Sequence, residues 1–229
     1  MAYDFKKEEK MFYMPKNKPE IVTVPPMNFL VVSGQGDPNE EGGAYQRAVS
    51  VLYALAYTLK MSYKGTRQIA GFYEYVVPPL EGFWWQPGLA GMDYSQKCGF
   101  HWLSVIRVPD FIKQEDFDWA VQEAQRKKQI DCSSAAFLTI EEGLCVQMMH
   151  IGAYDDEPAS VAMMDAYIEA QGYENEINEV RRHHEIYLSD PRKCDPAKQK
   201  TVIRHPIRKK RRSLNRLINT KYKFLKSRN

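Results

Sequence analysis

No apolar run in the 229-residue sequence approaches the roughly 20 residues that span a bilayer. The opening stretch, MAYDFKKEEK, is charged and lacks the apolar centre of a secretory signal. Cysteine is scarce. Cys98, Cys132, Cys145 and Cys194 stand 34, 13 and 49 residues apart, with no CxxC pair. Such spacing fits neither a metal knuckle nor a disulfide scaffold, so reduced thiols in a cytoplasmic protein are expected. A P-loop glycine motif, GxSxG and HExxH are all missing. Gly34-x-Gly36 lacks a third glycine and runs into Asp37-Pro38, which is no dinucleotide fingerprint. No cofactor and no metal are therefore expected. The one histidine run, His183-His184-Glu185, does not change this, because adjacent strand residues point to opposite faces and the two imidazoles cannot share an ion.

What is present is a globular composition: 44% hydrophobic, 27% charged and, above the ordinary, 12% aromatic. The length suits one large domain or two small ones. The net charge of +3 hides an asymmetry. Residues 208–229 hold ten Lys or Arg and no acid, so the other 207 residues sum to −7. This tail opens with five cations, Arg208 to Arg212, and continues with Leu214, Leu217, Ile218, Tyr222 and Leu225 on one helical stripe behind a capping Ser213. Two readings stand for it: a solvated appendage, or a basic amphipathic segment that orders on nucleic acid or an anionic membrane surface.

Strands are predicted over 20–33 (broken at Pro25-Pro26), 72–77, 100–108, 135–140, 144–151, 183–188 and 201–205, and helices over 44–61, 115–129 and 160–171. The order repeats. Leu30-Val-Val-Ser-Gly34, Asp37-Pro38 and a helix resemble Met148-Met-His-Ile-Gly152, Glu157-Pro158 and a helix; Val105-Ile-Arg-Val-Pro109 resembles Val202-Ile-Arg-His-Pro206. Residues 72–79 match 184–191 in length and ending. The expected fold is α+β: a tandem pseudo-twofold repeat of strand–helix–strand–strand units, about 20–110 and 135–207. These form a single domain, 1–207, followed by the tail.

Alternation puts His184, Ile186 and Leu188 on one face of the strand and His183, Glu185 and Tyr187 on the other. With the aliphatic face turned inward, the second face carries a carboxylate between an imidazole and a phenol; alternation alone allows a plain solvent face equally well. Tyr73, Tyr75, Phe83, Trp84, Trp85, Phe100, Trp102 and Tyr154 are either core or the walls of a ligand cavity.

The stretches Val77-Pro-Pro-Leu-Glu-Gly-Phe-Trp-Trp85, Trp102 to Phe111, Met149-His-Ile-Gly-x-Tyr-Asp155, and His183-His-Glu-Ile-Tyr-Leu-Ser-Asp-Pro191 through Lys200-Thr-Val-Ile-Arg-His-Pro206 resemble the GyrI-like small-molecule-binding family over residues 5–207. Phe83 departs from the pattern, where leucine is more frequent. The resemblance implies a pocket for a flat aromatic molecule between two halves, with Glu185 as its buried glutamate and Glu81 as a second motif carboxylate. It also implies pocket aromatics at Trp84, Trp85 and Trp102 and phenols at Tyr154 and Tyr187, with His183 beside them. It further implies a stand-alone branch that includes hydrolases of cyclopropanoid cyclopyrroloindole DNA alkylators. On that reading Glu185, its pKa raised by an apolar site, activates a water. Tyr187 or Tyr154 donates to the developing oxyanion, and the substrate stacks on Trp85 and Trp102. A module that only binds or senses flat aromatic or cationic drugs is the alternative. A gyrase-interacting role rests on the family name alone. A second pocket carboxylate, or a phenol opposite Glu185, favours catalysis; a lone glutamate in an aromatic box favours cation binding.

Overall fold

The computed structural model describes residues 2–65, 67–89 and 91–210. Two short helices, α1 (Phe5–Glu8) and α2 (Lys10–Tyr13), lead into strands β1 (Glu20–Val24) and β2 (Met27–Gln35). Helix α3 (Ala44–Lys60) follows, then β3 (Leu80–Trp85), β4 (His101–Arg107), α4 (Gln114–Lys128), β5 (Ala135–Ile140) and β6 (Gly143–Ile151). Helix α5 (Glu157–Ala170) precedes β7 (Tyr173–Asn175), β8 (His183–Tyr187) and β9 (Lys200–Lys209).

The strands form one antiparallel sheet in the order β1-β6-β9-β8-β3-β4-β2-β5, with β7 added on β9. From β6 to β2 the order is palindromic about the β8–β3 pair, as a strand–helix–strand–strand duplication requires. Only Pro25-Pro26 separate β1 from β2, which lie toward opposite ends of that order. So short a link spans roughly 10 Å at most, so the sheet must curl. Val22 and Val24 of β1 accordingly pack with Phe29 and Val31 of β2, Phe83 of β3 and Cys145 of β6 on the inner face. The prolines fit this corner because they interrupt the ladder where a strand changes partner.

Directly opposed residues share a face. Trp102 faces Trp84, Gly82 faces Glu185, Glu185 faces Ile203 and Ile203 faces Met148. This outer face carries both long helices. Leu52, Leu55 and Leu59 of α3 pack on Leu30, Val32, Trp102 and Ile106, and Met164 and Ile168 of α5 pack on Val146, Met148 and Ile203. The central strands β8 and β3 run between the two helices. The N-terminal segment lies on the inner face, where Phe5 and Tyr13 join Ile186 and Val202.

Two expectations need correction. No strand forms over 72–77; Tyr75 makes a single bridge to Tyr3, and Phe72 and Tyr75 pack against Phe111. The strand that faces β8 is β3, beyond Pro78-Pro79, because a central strand needs every N–H for its two ladders. The match of 72–79 to 184–191 therefore gives way to one between β3 and β8. In addition, the expected boundary at 207/208 falls inside β9, whose Lys209 pairs with Tyr173. The tail beyond Lys210, with its expected helical stripe, lies outside the described residues.

Candidate functional site

Strand β8 does divide its residues as alternation requires. His183, Glu185 and Tyr187 lie on the outer face between α3 and α5. The Glu185 carboxylate is held at both oxygens: Oε1 is 2.7 Å from His183 Nε2, and Oε2 accepts from the Tyr187 hydroxyl at 2.7 Å. That hydroxyl in turn accepts from Trp84 Nε1 at 2.9 Å. Behind Glu185, His183 Nδ1 meets His205 Nε2 at 2.7 Å, and His205 Nδ1 meets the Asn175 amide at 3.4 Å. Asn175 Oδ1 is taken by the Ile177 N–H, which leaves the amide nitrogen to donate. The polarity follows: Asn175 donates to His205, His205 Nε2–H to His183 Nδ1, and His183 Nε2–H to Glu185. Burial and then His183 hold the His205 imidazole well below its ordinary pKa, consistent with a neutral ring.

A second carboxyl reaches the same point from α5. That helix starts at Glu157, three residues before the predicted start, with Pro158 in its first turn. Glu157 is 1% exposed and Glu185 is 8% exposed. Burial, then the charge of the nearby Glu185, pushes Glu157 well above the carboxylate range. Burial also acts on Glu185, but the His183 contact and the bond from Tyr187 outweigh it and bring Glu185 below its ordinary value. The two carboxyls are thus driven apart, Glu157 upward and Glu185 downward. The expectation of a raised Glu185 is corrected: the raised carboxyl is Glu157, which charge repulsion and burial disfavour as an anion. Glu157, His183 and Glu185 offer ligand atoms within 4.8 Å of one another. His183 Nε2 faces Glu185 Oε1 at 2.7 Å, while Glu157 Oε1 is buried without a hydrogen-bond partner among the described residues.

Aromatic rings surround the carboxyls. Tyr45, from the first turn of α3, lies over Trp84 at 5.3 Å and edge-on to Trp102 at 5.1 Å between centroids. Tyr154 stands edge-on to Tyr187 at 5.7 Å, its phenol pushed up to about 12 by burial, then by Glu185 and Glu157. Tyr94 stands edge-on to His183 at 6.4 Å. Two glycines make room for the indoles. A Cβ at Gly82 would sit 2.5 Å from Trp84 Nε1 and 2.9 Å from the Tyr187 oxygen; one at Gly34 would sit 2.3 Å from the Trp102 ring.

Of the sequence-derived residues, Glu185, Tyr187, His183, Trp84, Trp102 and Tyr154 come together. Trp102 is 1% exposed and forms the floor beneath Tyr45. Trp85 and Glu81 do not join them, because they occupy the odd positions of β3 and point to the inner face. There the Arg182 guanidinium lies 3.9 Å over Trp85, and Glu81 bonds His184 at 3.0 Å and Tyr13 at 3.2 Å. Tyr45, Tyr94, Glu157 and His205 escaped the sequence reading. Glu157 had a signal in the Glu157-Pro158 step that matches Asp37-Pro38 ahead of a helix. Tyr94, in a loop, had none. Two surface hollows of about 230 and 320 Å³ lie elsewhere, against Tyr3 and Tyr73 of the N-terminal side.

An acidic pair walled by aromatics, between two helices on a curled antiparallel sheet, defines a small-molecule-binding domain. The chain matches the GyrI-like small molecule binding domain over residues 17–208 and belongs to that family. It is 47% identical to a hydrolase from Listeria innocua of known structure, with a TM-score of 0.82, over 90% of this chain and all of that one. It is 48% identical to an uncharacterized conserved protein from Listeria innocua, with a TM-score of 0.85 and the same coverage. The C-terminal domain of EcmrR shares the fold at 14% identity and a TM-score of 0.51, over 84% of this chain and 98% of that one. No curated protein matches the chain. Among the described residues, no helix is long and apolar enough to cross a membrane.

Proposed function

We propose that the protein is a detoxifying hydrolase that opens the cyclopropane of cyclopropanoid cyclopyrroloindole genotoxins by adding water. The observation that carries this reading is the split carboxyl pair: two adjacent acids with their pKa values driven apart is the arrangement of a general base beside a proton-holding partner. Glu185, ionised and aimed by His183 and Tyr187, takes a proton from water. The water oxygen bonds the strained methylene, the ring carbon–carbon bond breaks, and its electron pair moves through the dienone to leave a phenolate. Glu157, the proton-bearing member, has a proton to return. Trp84 and Tyr45 offer the flat surfaces for stacking; the earlier assignment of Trp85 to that role has no support from its side of the sheet. Tyr45 and Tyr154, both half-buried, must turn aside to admit a ligand.

The name of the Listeria innocua hydrolase agrees with turnover. A module for cationic drugs needs a free anion in its box. Glu185 has both oxygens engaged, and its neighbour is a second carboxyl and not a lone wall, which favours catalysis. The basic tail is proposed as a separate contact for duplex DNA, the target of such alkylators.

Incubation with a cyclopropanoid cyclopyrroloindole, followed by mass spectrometry, should yield a product heavier by one water. Glu185→Gln should lower the rate by about 10²–10⁴-fold. Binding of the compound without any hydrated product would reject the hydrolase reading.

A further inference from the structure

The ring opening leaves negative charge on the former carbonyl oxygen, and that oxygen lies across a six-membered ring from the carbon under attack. The donor it needs must therefore stand apart from the base. Tyr187 is a poor candidate, since its hydroxyl proton goes to Glu185 and its oxygen is taken by Trp84. Among the phenols around the carboxyls, one is both sealed from water and unbonded. The Tyr94 hydroxyl is buried and has no hydrogen-bond partner among the described residues. An O–H sealed from water without an acceptor is costly, and a native structure keeps one where something else supplies the acceptor.

The placement of Tyr94 is built. Gln86, 6% exposed at the end of β3, accepts from the Asp93 N–H at 2.6 Å and donates to the Asp93 and Gln96 carbonyls at 3.3 and 3.2 Å. The Asp93 carboxylate accepts from Ser95 N and Oγ at 3.0 and 2.6 Å. Lys97 reaches across to Asp155, before α5, at 2.9 Å. Tyr94 is thus clamped on both sides. Its ring edge rests on His183, and its hydroxyl feels the charges of Glu157 and Glu185 without bonding either.

Building on the hydrolase reading, we propose that Tyr94 donates the hydrogen bond to the ligand's carbonyl oxygen and to the phenolate that forms from it, and that Gln86 is the residue positioning it. The site then selects flat aromatics bearing an acceptor oxygen over equally flat molecules without one. Two measurements separate this from the reading it rests on. For the cyclopropane substrate, Tyr94→Phe should lower kcat by about 10²–10³-fold and raise KM by about tenfold, the share of the bond already made to the ground-state carbonyl. Gln86→Ala should give a smaller loss of kcat with the fold intact by circular dichroism. A Tyr94→Phe kcat within twofold of the parent overturns the assignment. Independently, titration of tryptophan fluorescence with fluorenone and fluorene compares a ketone with its methylene counterpart. The parent should bind fluorenone about tenfold more tightly, and Tyr94→Phe should abolish that preference. A parent without the preference, or a variant that keeps it, overturns the role of Tyr94. A parent that shows the preference but never hydrates the cyclopropane leaves Tyr94 as a ligand donor and rejects the hydrolase alone.

Discussion

Glu157 and Glu185 carry the strongest residue-scale consequence. A rate that needs Glu185 ionised and Glu157 protonated has two limits. It falls in acid as pH drops through the lowered value of Glu185, because the base becomes protonated. It falls in alkali as pH rises through the elevated value of Glu157, because the pair loses its proton. The profile of kcat/KM against pH should therefore be a broad plateau reaching well above the ordinary carboxylate range. Glu157→Gln keeps the shape and cannot lose that proton, so its profile should lose the alkaline limb. An alkaline limb unchanged in the variant would assign it to another group. Much of this was legible in the sequence for a simple reason. Period-two alternation over His183–Tyr187 determines which side chains share a face, whatever lies around the strand. Nothing in a period reveals that the first residue of a distant helix will meet that face. Glu157, and with it the direction of the Glu185 shift, needed the tertiary packing of α5.

At the scale of elements, the β8–β3 pair carries a second polar cluster on its inner face. His184 Nδ1 and Nε2 lie 3.0 Å from Glu142 and 3.0 Å from Glu81. Both nitrogens face carboxylates, so both carry protons and the ring is an imidazolium, stacked on Phe83 at 3.9 Å. Arg204 bonds Glu142 at 2.7 Å, Gln147 at 3.0 Å and the Phe12 carbonyl at 2.9 Å, while Tyr13 donates to Glu81. Two acids and two cations thus balance while holding α2 to the sheet. Burial lowers His184, but Glu142 and Glu81 outweigh it and raise it above its ordinary 6.5. Its stabilisation is complete below about 6.5 and disappears as pH climbs through the raised folded value. Glu142, where burial is outweighed by His184 and Arg204 and the carboxyl is held at about 2, loses its share progressively as pH falls from about 4.5 through about 2. His184→Phe leaves two buried carboxylates facing one arginine and should cost about 3–5 kcal/mol, read as a large fall in Tm at pH 6 that narrows in alkali. A variant melting like the parent at pH 6 would remove His184 from the network. The palindrome of strands was partly legible, through the matching Val-Ile-Arg-Pro segments. The β3 register was not, because Phe72–Val77 has the composition of a strand but stands on the wrong side of two prolines.

For the whole molecule, the open question is the charge asymmetry, and the fold changes where it should be tested. Of the ten tail cations, Arg208 and Lys210 are already committed: Arg208 bonds Glu174 at 2.7 Å, and Lys210 bonds Glu169 at 3.0 Å. Lys209 pairs with Tyr173 through its backbone only, and its exposed side chain keeps its charge. The basic segment beyond the described residues is 211–229, with seven Lys or Arg and no acid, and the chain before it sums to −4. An acidic body does not attract DNA, so any affinity must come chiefly from those seven charges, and counterion release then makes it steeply salt-dependent. Two truncations separate the roles. Ending the chain at Lys210 keeps the last rung of β9 and should leave Tm and turnover unchanged while abolishing duplex binding. Ending it at Ile207 removes the last two rungs of β9 and the Glu174 and Glu169 pairs, and should lower Tm as well. Fluorescence anisotropy with a short duplex at 50 and 200 mM salt measures the contact. If the protein ending at Lys210 binds as tightly as the full chain, or if binding is indifferent to salt, the tail is not the DNA contact.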